Sequence, residues 1–158
     1  MRFTDKEDIA APVHFVFGEL SDFEAYERLA IRAGAEVTRL DTLDAPTVGM
    51  LWEARAVIRG RRRKIVLELA DFDPPHLLRF TARSEGFDAR FTVETIALAQ
   101  SRTRMLLDLD IKPRTLAARL ALQPARMAKA ALTRRFKGRA RNHAAEIGRR
   151  YASPGATG

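Results

Sequence analysis

Acid–base chemistry near neutral pH would most simply use a histidine, and this chain has three, His14, His76 and His143. A catalytic imidazole needs a second group that positions it and shares its proton. His14 has no histidine or carboxylate four residues further on, His76 follows a Pro-Pro turn, and His143 has alanine neighbours. We therefore predict no catalytic residue. His143 is the first to test, because it lies on the apolar stripe of a predicted helix.

Other reactive groups are equally sparse in this sequence. There is no cysteine, which excludes disulfides, thiolate metal sites and a thiol nucleophile. We predict neither a metal site nor a cofactor. The N-terminal residues 1–8 are charged and lack the apolar core of a secretion signal. Together with the absence of cysteine, this leads us to expect a cytoplasmic protein.

Positive charge is concentrated in the last third of the chain. Residues 112–158 contain 12 Lys or Arg and one acid, whereas residues 1–111 contain 16 basic and 19 acidic side chains. A cationic stripe can face water, anionic lipid headgroups or nucleic acid. We predict that the lipid or anion contacts are Arg126, Arg134, Arg135, Lys137 and Arg141. Nucleic acid ranks below lipid, because the aromatic residues fall at core positions rather than among the arginines.

Turn residues divide the chain into elements that must position these groups. Residues 1–9 read as a strand, followed by helices at about 12–20 and 22–33. Between 35 and 111 the apolar pattern has period two, with breaks that define six further strands. A helix with Leu116 and Leu120 on one stripe follows, then a bend at Pro124 and a longer helix over 125–151. We predict one α+β domain over 1–152, with a seven-stranded antiparallel sheet and a flexible tail at 153–158.

One face of the predicted sheet is apolar and needs a cover. Small side chains on it alternate with large ones, and the long helix begins its own stripe with alanines. Such a face either encloses a cavity for an apolar ligand or packs closely against the helix. If it encloses a cavity, the ligand-binding residues are Trp52, Ala54, Ala56, Phe80, Phe87, Phe91, Met105, Leu107, Leu132, Phe136 and His143.

The order of elements resembles the helix-grip fold of the SRPBCC superfamily. That superfamily includes START lipid-transfer domains, birch-pollen-allergen-like proteins and polyketide cyclases. The matching segments are Ile9-Ala10-Ala11-Pro12 leading to Val16-Phe17 and Leu20-Ser21-Asp22, then Val48-Gly49, Asp73-Pro74-Pro75-His76-Leu77 and the closing helix. The resemblance implies a curved sheet that grips the last helix around an apolar cavity. It does not imply a single activity.

The resemblance favours the cavity over close packing. We expect binding or transport of a hydrophobic or amphipathic small molecule, lipid-like, polyketide-like or quinone-like, between sheet and helix. An enzyme of the cyclase or dehydratase type is the alternative, with Tyr26, Arg39 and His143 as the few polar groups it could use. A second alternative is docking of the basic helix to an anionic membrane or to nucleic acid. The oligomeric state is not predicted.

Overall fold

A computed structural model describes residues 1–153 of the chain. The predicted tail lies almost entirely outside this part, since residues 154–158 are not described. The elements in chain order are β1 (Arg2–Ile9), α1 (Val13–Leu20), α2 (Phe23–Arg32), β2 (Glu36–Arg39), β3 (Leu51–Ile58), β4 (Arg61–Asp73), β5 (Leu77–Ser84), β6 (Phe87–Ala99), β7 (Arg102–Pro113), α3 (Leu116–Ala121), α4 (Gln123–Met127) and α5 (Lys129–Ala152).

The seven strands form one antiparallel sheet in the order β1-β7-β6-β5-β4-β3-β2. The strand pairs β3–β4, β4–β5, β5–β6 and β6–β7 are hairpins, so each strand from β3 onward lies beside its predecessor. Strand β1 pairs with β7 at one edge, and β2 pairs with β3 at the other. The α+β helix-grip fold is therefore confirmed, including the two short helices after β1.

The alternation of the strands gives the sheet an inner apolar face and an outer charged face. On the outer face, Arg2 pairs with Asp108, Arg79 with Asp71 and Lys64 with Glu53 across neighbouring strands. The inner face is covered by α1, which buries Val16, Phe17 and Leu20, and by α5. Because α5 packs mainly along β1, it covers the inner face from one edge of the sheet.

The C-terminal region is more divided than the sequence pattern predicts. Three helices replace the two expected, with breaks at Leu122 and Ala128. Pro124 lies in the first turn of α4, where its missing N–H is tolerated, and because it cannot donate to the carbonyl of Leu120, α3 ends before it.

The apolar stripe of Leu116 and Leu120 also faces solvent, unlike the apolar stripe of an ordinary amphipathic helix. An apolar stripe usually lies against the core. Here α3 buries Ala118 instead, and the two leucines are 72% and 60% exposed. The reason is the close approach of α3 to the β5–β6 turn. The Cβ of Ala118 lies 2.9 Å from where a Cβ on Gly86 would be, so only a small side chain fits on that side.

Candidate functional site

The inner face of the sheet is filled at one end and uncovered at the other. The closed end is formed by side chains that are no more than 4% exposed, Ile9, Leu69, Leu78, Val93 and Met105. The open end lies towards the β3–β4 and β5–β6 turns, where inner-face side chains are partly exposed: Ala54, Ile65, Leu67, Ala82, Phe87, Ala89 and Ile111. These partly exposed side chains form one apolar surface at the open end of the inner face. We call this surface the groove.

The predicted ligand-binding residues do not all lie at the open end, since Phe80, Phe91 and Leu107 pack against the core. Trp52 and Met105 are buried, at 5% and 1% exposure, and belong to the core. The other predicted residues are partly exposed, namely Ala54, Ala56, Phe80, Phe87, Phe91, Leu107, Leu132, Phe136 and His143. Leu67, Ala82 and Ala89 were not among the predicted residues, although the same alternation places them on the inner face.

An aromatic cluster separates the groove from the core. The ring of Phe23, on α2, contacts both Trp52 and Phe80, with ring centroids 5.5 and 5.7 Å apart. Trp52 donates its indole N–H to Oε1 of Glu27 at 2.6 Å, and the guanidinium of Arg39 lies 5.5 Å from its ring. These contacts fix the indole in the core, next to Leu67 of the groove. Glu27 was not predicted to be part of the site, since it lies on a helix remote in sequence from the strands.

Arg39 lies on the edge strand β2, where the sequence pattern could not place it. Its guanidinium forms an ion pair with Asp41 and approaches Glu27 at 4.0 Å. The hydrogen bond from Arg39 lowers the pKa of Asp41 well below its ordinary value, and the backbone N–H groups of Leu51 and Leu43 lower it further. Since its charge is already matched, Arg39 holds the β2–β3 loop rather than offering an anion site.

His143 has a partner that its sequence neighbours did not suggest. Nε2 of His143 lies 2.8 Å from the hydroxyl of Tyr26, which is 117 positions away in the chain. Burial lowers the pKa of His143, and the charge of Arg150 lowers it further. Burial also raises the pKa of Tyr26 far above 10. The imidazole is therefore neutral near pH 7, and the tyrosine hydroxyl donates to Nε2 in the tautomer that carries its ring proton on Nδ1.

The Tyr26–His143 hydrogen bond joins α2 to the second half of α5. Tyr26 lies one helical turn after Phe23 on α2, and His143 lies on α5 between Ala140 and the buried Ala144. Helix α2 packs near the β2 edge and α5 along the β1 edge, so this pair links two helices that lie towards opposite edges of the sheet.

Two carboxylates on β1 point inward beneath α5. Nζ of Lys137 lies 3.6 Å from Oδ1 of Asp5, while Oδ2 of Asp5 is buried and has no hydrogen-bond partner within residues 1–153. Burial raises the pKa of Glu7, and the hydrogen bond and charge of neighbouring Asp5 raise it further. A protonated Glu7 would supply a donor to the unpaired oxygen of Asp5.

This arrangement changes the role of one predicted lipid contact. Lys137 reaches inward to β1 rather than outward, and so helps to fasten α5 to the sheet edge. The other four predicted contacts, Arg126, Arg134, Arg135 and Arg141, are exposed.

Depressions on the outer face do not resemble an apolar site. One of about 520 Å³ is lined by both apolar and charged side chains, among them Glu68, Arg83, Asp88 and Arg90. Arg83 is already paired with Asp88 across the β5–β6 hairpin. The groove is the better candidate, because most of its lining is apolar, although the guanidinium of Arg63 lies 5.7 Å from the centroid of the Phe87 ring. No helix within residues 1–153 is long and apolar enough to cross a bilayer.

Solved structures with the same fold cover nearly the whole chain. The Zhui aromatase/cyclase of Streptomyces sp. R1128 aligns with a TM-score of 0.67 and 15% identity over 98% of this chain and 97% of that one. A START superfamily protein of Mycobacterium smegmatis aligns with a TM-score of 0.56 and 15% identity, covering 85% and 95%. A protein of Thermus thermophilus aligns with a TM-score of 0.61 and 15% identity, covering 85% and 88%. At these identities the likeness shows the fold alone.

In sequence, no curated protein matches the chain. The family model described as polyketide cyclase / dehydrase and lipid transport matches residues 1–148. This match spans every element from β1 through most of α5, including all the strands that form the groove. The chain therefore belongs to the polyketide cyclase/dehydrase and lipid transport family of the SRPBCC superfamily.

Proposed function

We propose that this protein binds and carries an apolar or amphipathic small molecule, lipid-like, polyketide-like or quinone-like, in the groove. The observation that carries the proposal is the row of partly exposed apolar side chains at the open end, beside a core that is otherwise closed. Leaving such a surface in water costs about 25 cal/mol per Å², so an apolar ligand that covers it gains binding free energy. Residues 1–152 form the proposed binding domain.

Native mass spectrometry of protein purified from cells tests the proposal, since a carrier retains a discrete small molecule. A second readout is the fluorescence of Trp52, the only tryptophan, which lies in the core next to Leu67 of the groove. Titration with a fatty acid or an aromatic polyketide should change its emission.

The matched variants for this test are Ala89→Phe and Ala99→Phe. Ala89 lies on the groove floor, whereas Ala99 is exposed at the far end of β6. We expect Ala89→Phe to lose the retained molecule and the fluorescence response, and Ala99→Phe to keep both. Equal retention by the two variants would contradict the proposal.

A second candidate function is supported by the Tyr26–His143 hydrogen bond. If the tyrosine hydroxyl turns from Nε2 of His143 to the carbonyl oxygen of a bound substrate, Nε2 is free to take a proton from the adjacent carbon. The hydroxyl then donates a hydrogen bond to the resulting enolate. Together they could catalyse the cyclisation or dehydration of a poly-β-ketone held in the groove. This reaction needs no residue outside the pair and the apolar lining.

The test compares His143→Ala with His14→Ala on a poly-β-ketone substrate. His14 is exposed on α1, so its loss controls for a general change in charge. Loss of one general base lowers turnover by about 10²-fold to 10⁴-fold. Equal turnover by the two variants would leave the pair as a structural contact and favour the carrier.

A further inference from the structure

The open end of the sheet carries a surface that the groove itself does not explain. The β3–β4 turn, at Arg59 and Gly60, and the β5–β6 turn, at Gly86, both lie at this end. Helix α3 is fastened to the β5–β6 turn, because Arg114 donates its backbone N–H to Gly86 O at 2.7 Å and Nη2 to Ser84 O at 2.8 Å. Arg114, Arg62 and Lys64 line one depression. The β3–β4 turn and the α3–α4 segment therefore frame the same end of the groove.

Large apolar side chains project from both of these elements. Met127 is 89% exposed and Val57 is 70% exposed, and Leu116, Leu120 and Ile58 are also exposed. A helix that presents two leucines to water while burying an alanine has its apolar side directed away from the protein. A group of exposed apolar residues at one end of a molecule marks an interaction site.

Arginines surround these apolar side chains. Arg59 and Arg61 flank the β3–β4 turn, and Arg119 and Arg126 lie on α3 and α4. In the described part of the chain, none of these four guanidinium groups has a carboxylate within 4.0 Å, whereas Arg62 pairs with Glu36 and Arg114 with Asp88. Glu85 is an exposed acid in the same region. The surface combines exposed apolar groups with unmatched positive charge. We call it the tip surface: Val57, Ile58, Arg59, Arg61, Leu116, Arg119, Leu120, Arg126 and Met127.

A bilayer with anionic lipids matches this combination better than a nucleic acid or an acidic protein does. Phosphate headgroups pair with arginine, and the acyl region beneath them accepts leucine, methionine and valine. Nucleic acid would use exposed aromatic side chains for stacking, and the tip surface has none. The apolar side chains also come from two separate projecting elements, so a deformable layer fits them better than a single rigid groove on a partner.

We propose that the tip surface docks the protein on membranes that contain anionic lipid, with the open end of the groove facing the headgroups. Leu116, Leu120 and Met127 insert among the headgroups, while the arginines pair with phosphates. This assignment differs from the predicted contact along α5, because it places the bilayer at the end of the helix rather than along its side. The orientation of the groove rests on the proposed carrier function, but the docking itself does not.

Flotation with vesicles tests the proposal on the full chain stripped of bound small molecules. The vesicles are phosphatidylcholine alone or phosphatidylcholine mixed with phosphatidylglycerol. We expect binding to the mixed vesicles only, and weaker binding at high salt because exposed charge pairs are screened. The variant L116S/L120S/M127S should bind at least about tenfold more weakly. Its control, I96S/L98S, removes apolar side chains of the β6–β7 hairpin that are 45% and 42% exposed, and should bind like the wild type.

A charge comparison separates the tip surface from the side of α5. R119Q/R126Q should weaken binding about tenfold or more, whereas R134Q/R135Q should change it little. All four arginines are exposed, so each double variant should keep the wild-type thermal unfolding temperature. Four outcomes would overturn the proposal: unchanged binding by the triple variant, equal loss from R134Q/R135Q, equal binding to both vesicle types, or binding to single-stranded RNA with none to vesicles.

The vesicle experiments and the ligand-retention experiments test the two proposals separately. Vesicle binding by the stripped protein does not depend on a retained ligand. If flotation succeeds and native mass spectrometry finds no small molecule, the docking surface stands and the carrier function falls. If the protein retains a ligand but does not float, the reverse holds.

Discussion

The closed and open ends of the inner face are built from the same strands but differ in what covers them. Leu69 and Leu67 are neighbours on the inner side of β4, yet Leu69 is 0% exposed while Leu67 is partly exposed. Over the closed end lie α1 and the second half of α5, which bury Phe17 and Ile147. Over the open end lie the first turns of α5 and the short helices α3 and α4, which bury little beyond Ala118 and Ala125. The groove therefore results from sparse cover as well as small side chains.

This difference separates stability from function within one sheet. A buried closed end can supply most of the free energy of folding, because apolar burial is the main favourable contribution. The open end can then leave apolar surface in contact with solvent without unfolding the protein. A substitution should therefore have a different effect at each end, even where its chemistry is the same.

The largest expected effect comes from truncating one leucine at each end. We expect Leu69→Ala to lower the free energy of unfolding by about 3 kcal/mol, since it creates a cavity in packed core. Leu67→Ala should cost about 1.5 kcal/mol or less, because its side chain is already partly hydrated. Urea denaturation of the two variants measures this difference. Equal losses would mean that the groove is packed as tightly as the core.

A smaller effect is expected where α3 contacts the sheet. Gly86 has a φ of +77°, and an added Cβ would lie 2.9 Å from Cβ of Ala118 and 3.1 Å from Oγ1 of Thr115. We expect Gly86→Ala to cost about 2 kcal/mol, from backbone strain together with displacement of α3.

Gly138→Ala is the matched control for this variant. Gly138 lies within α5, and apart from its chain neighbours and the backbone of its own helical turns no atom lies within 4 Å of the point that an added Cβ would occupy. The substitution should therefore stabilise by about 0.5–1 kcal/mol. Thermal unfolding of both variants checks the opposite signs. If Gly86→Ala also stabilised, α3 would not be held against the β5–β6 turn.

The Tyr26–His143 hydrogen bond, which joins α2 to α5, should contribute about 1 kcal/mol to the stability of the fold. Tyr26→Phe removes the hydroxyl that donates to His143 and leaves Nε2 without that donor, a loss of about 0.5–1.5 kcal/mol. Tyr151→Phe is the control, because the Tyr151 ring packs on Phe15 and its hydroxyl has no hydrogen bond within residues 1–153. Hydrogen exchange should become faster in α2 for Tyr26→Phe only. Unchanged hydrogen exchange would show that the Tyr26–His143 hydrogen bond does not hold α2 against α5.

The sequence was sufficient to predict the sheet and its two faces but not how the faces are covered. Period-two alternation assigns Leu67 and Leu69 to the same side, which is confirmed, but it contains no information on which helix lies above each. The outward turn of Leu116 and Leu120 follows from a contact between Ala118 and Gly86, residues 32 positions apart. Tyr26 and His143, and Asp5 and Lys137, are likewise paired only by the tertiary fold. Local patterns cannot specify such long-range pairs.

The smallest expected effect is a pH dependence that differs in sign between the inner and outer sides of β1. Glu7 faces inward, and its pKa is raised from 4.5 chiefly by burial. The folded state then binds the proton more tightly than the unfolded state, so stability should fall as pH rises above 4.5. Asp8 faces outward, and the hydrogen bond from Arg104, helped by Arg102, lowers its pKa from 3.8 to about 2. Its contribution is present above pH 3.8 and is lost as pH falls towards 2.

Urea denaturation at a series of pH values should resolve the two contributions. Glu7→Gln should remove the decline above pH 4.5 that Glu7 causes, whereas Asp8→Asn should flatten the loss at acid pH. Each variant is the control for the other, because both remove one carboxylate from the same strand. If both variants changed the profile in the same pH range and with the same sign, Glu7 would be as hydrated as Asp8. In that case α5 would not cover the inner side of β1, and the filled end of the sheet would be smaller than the burial of Ile9 and Met105 indicates.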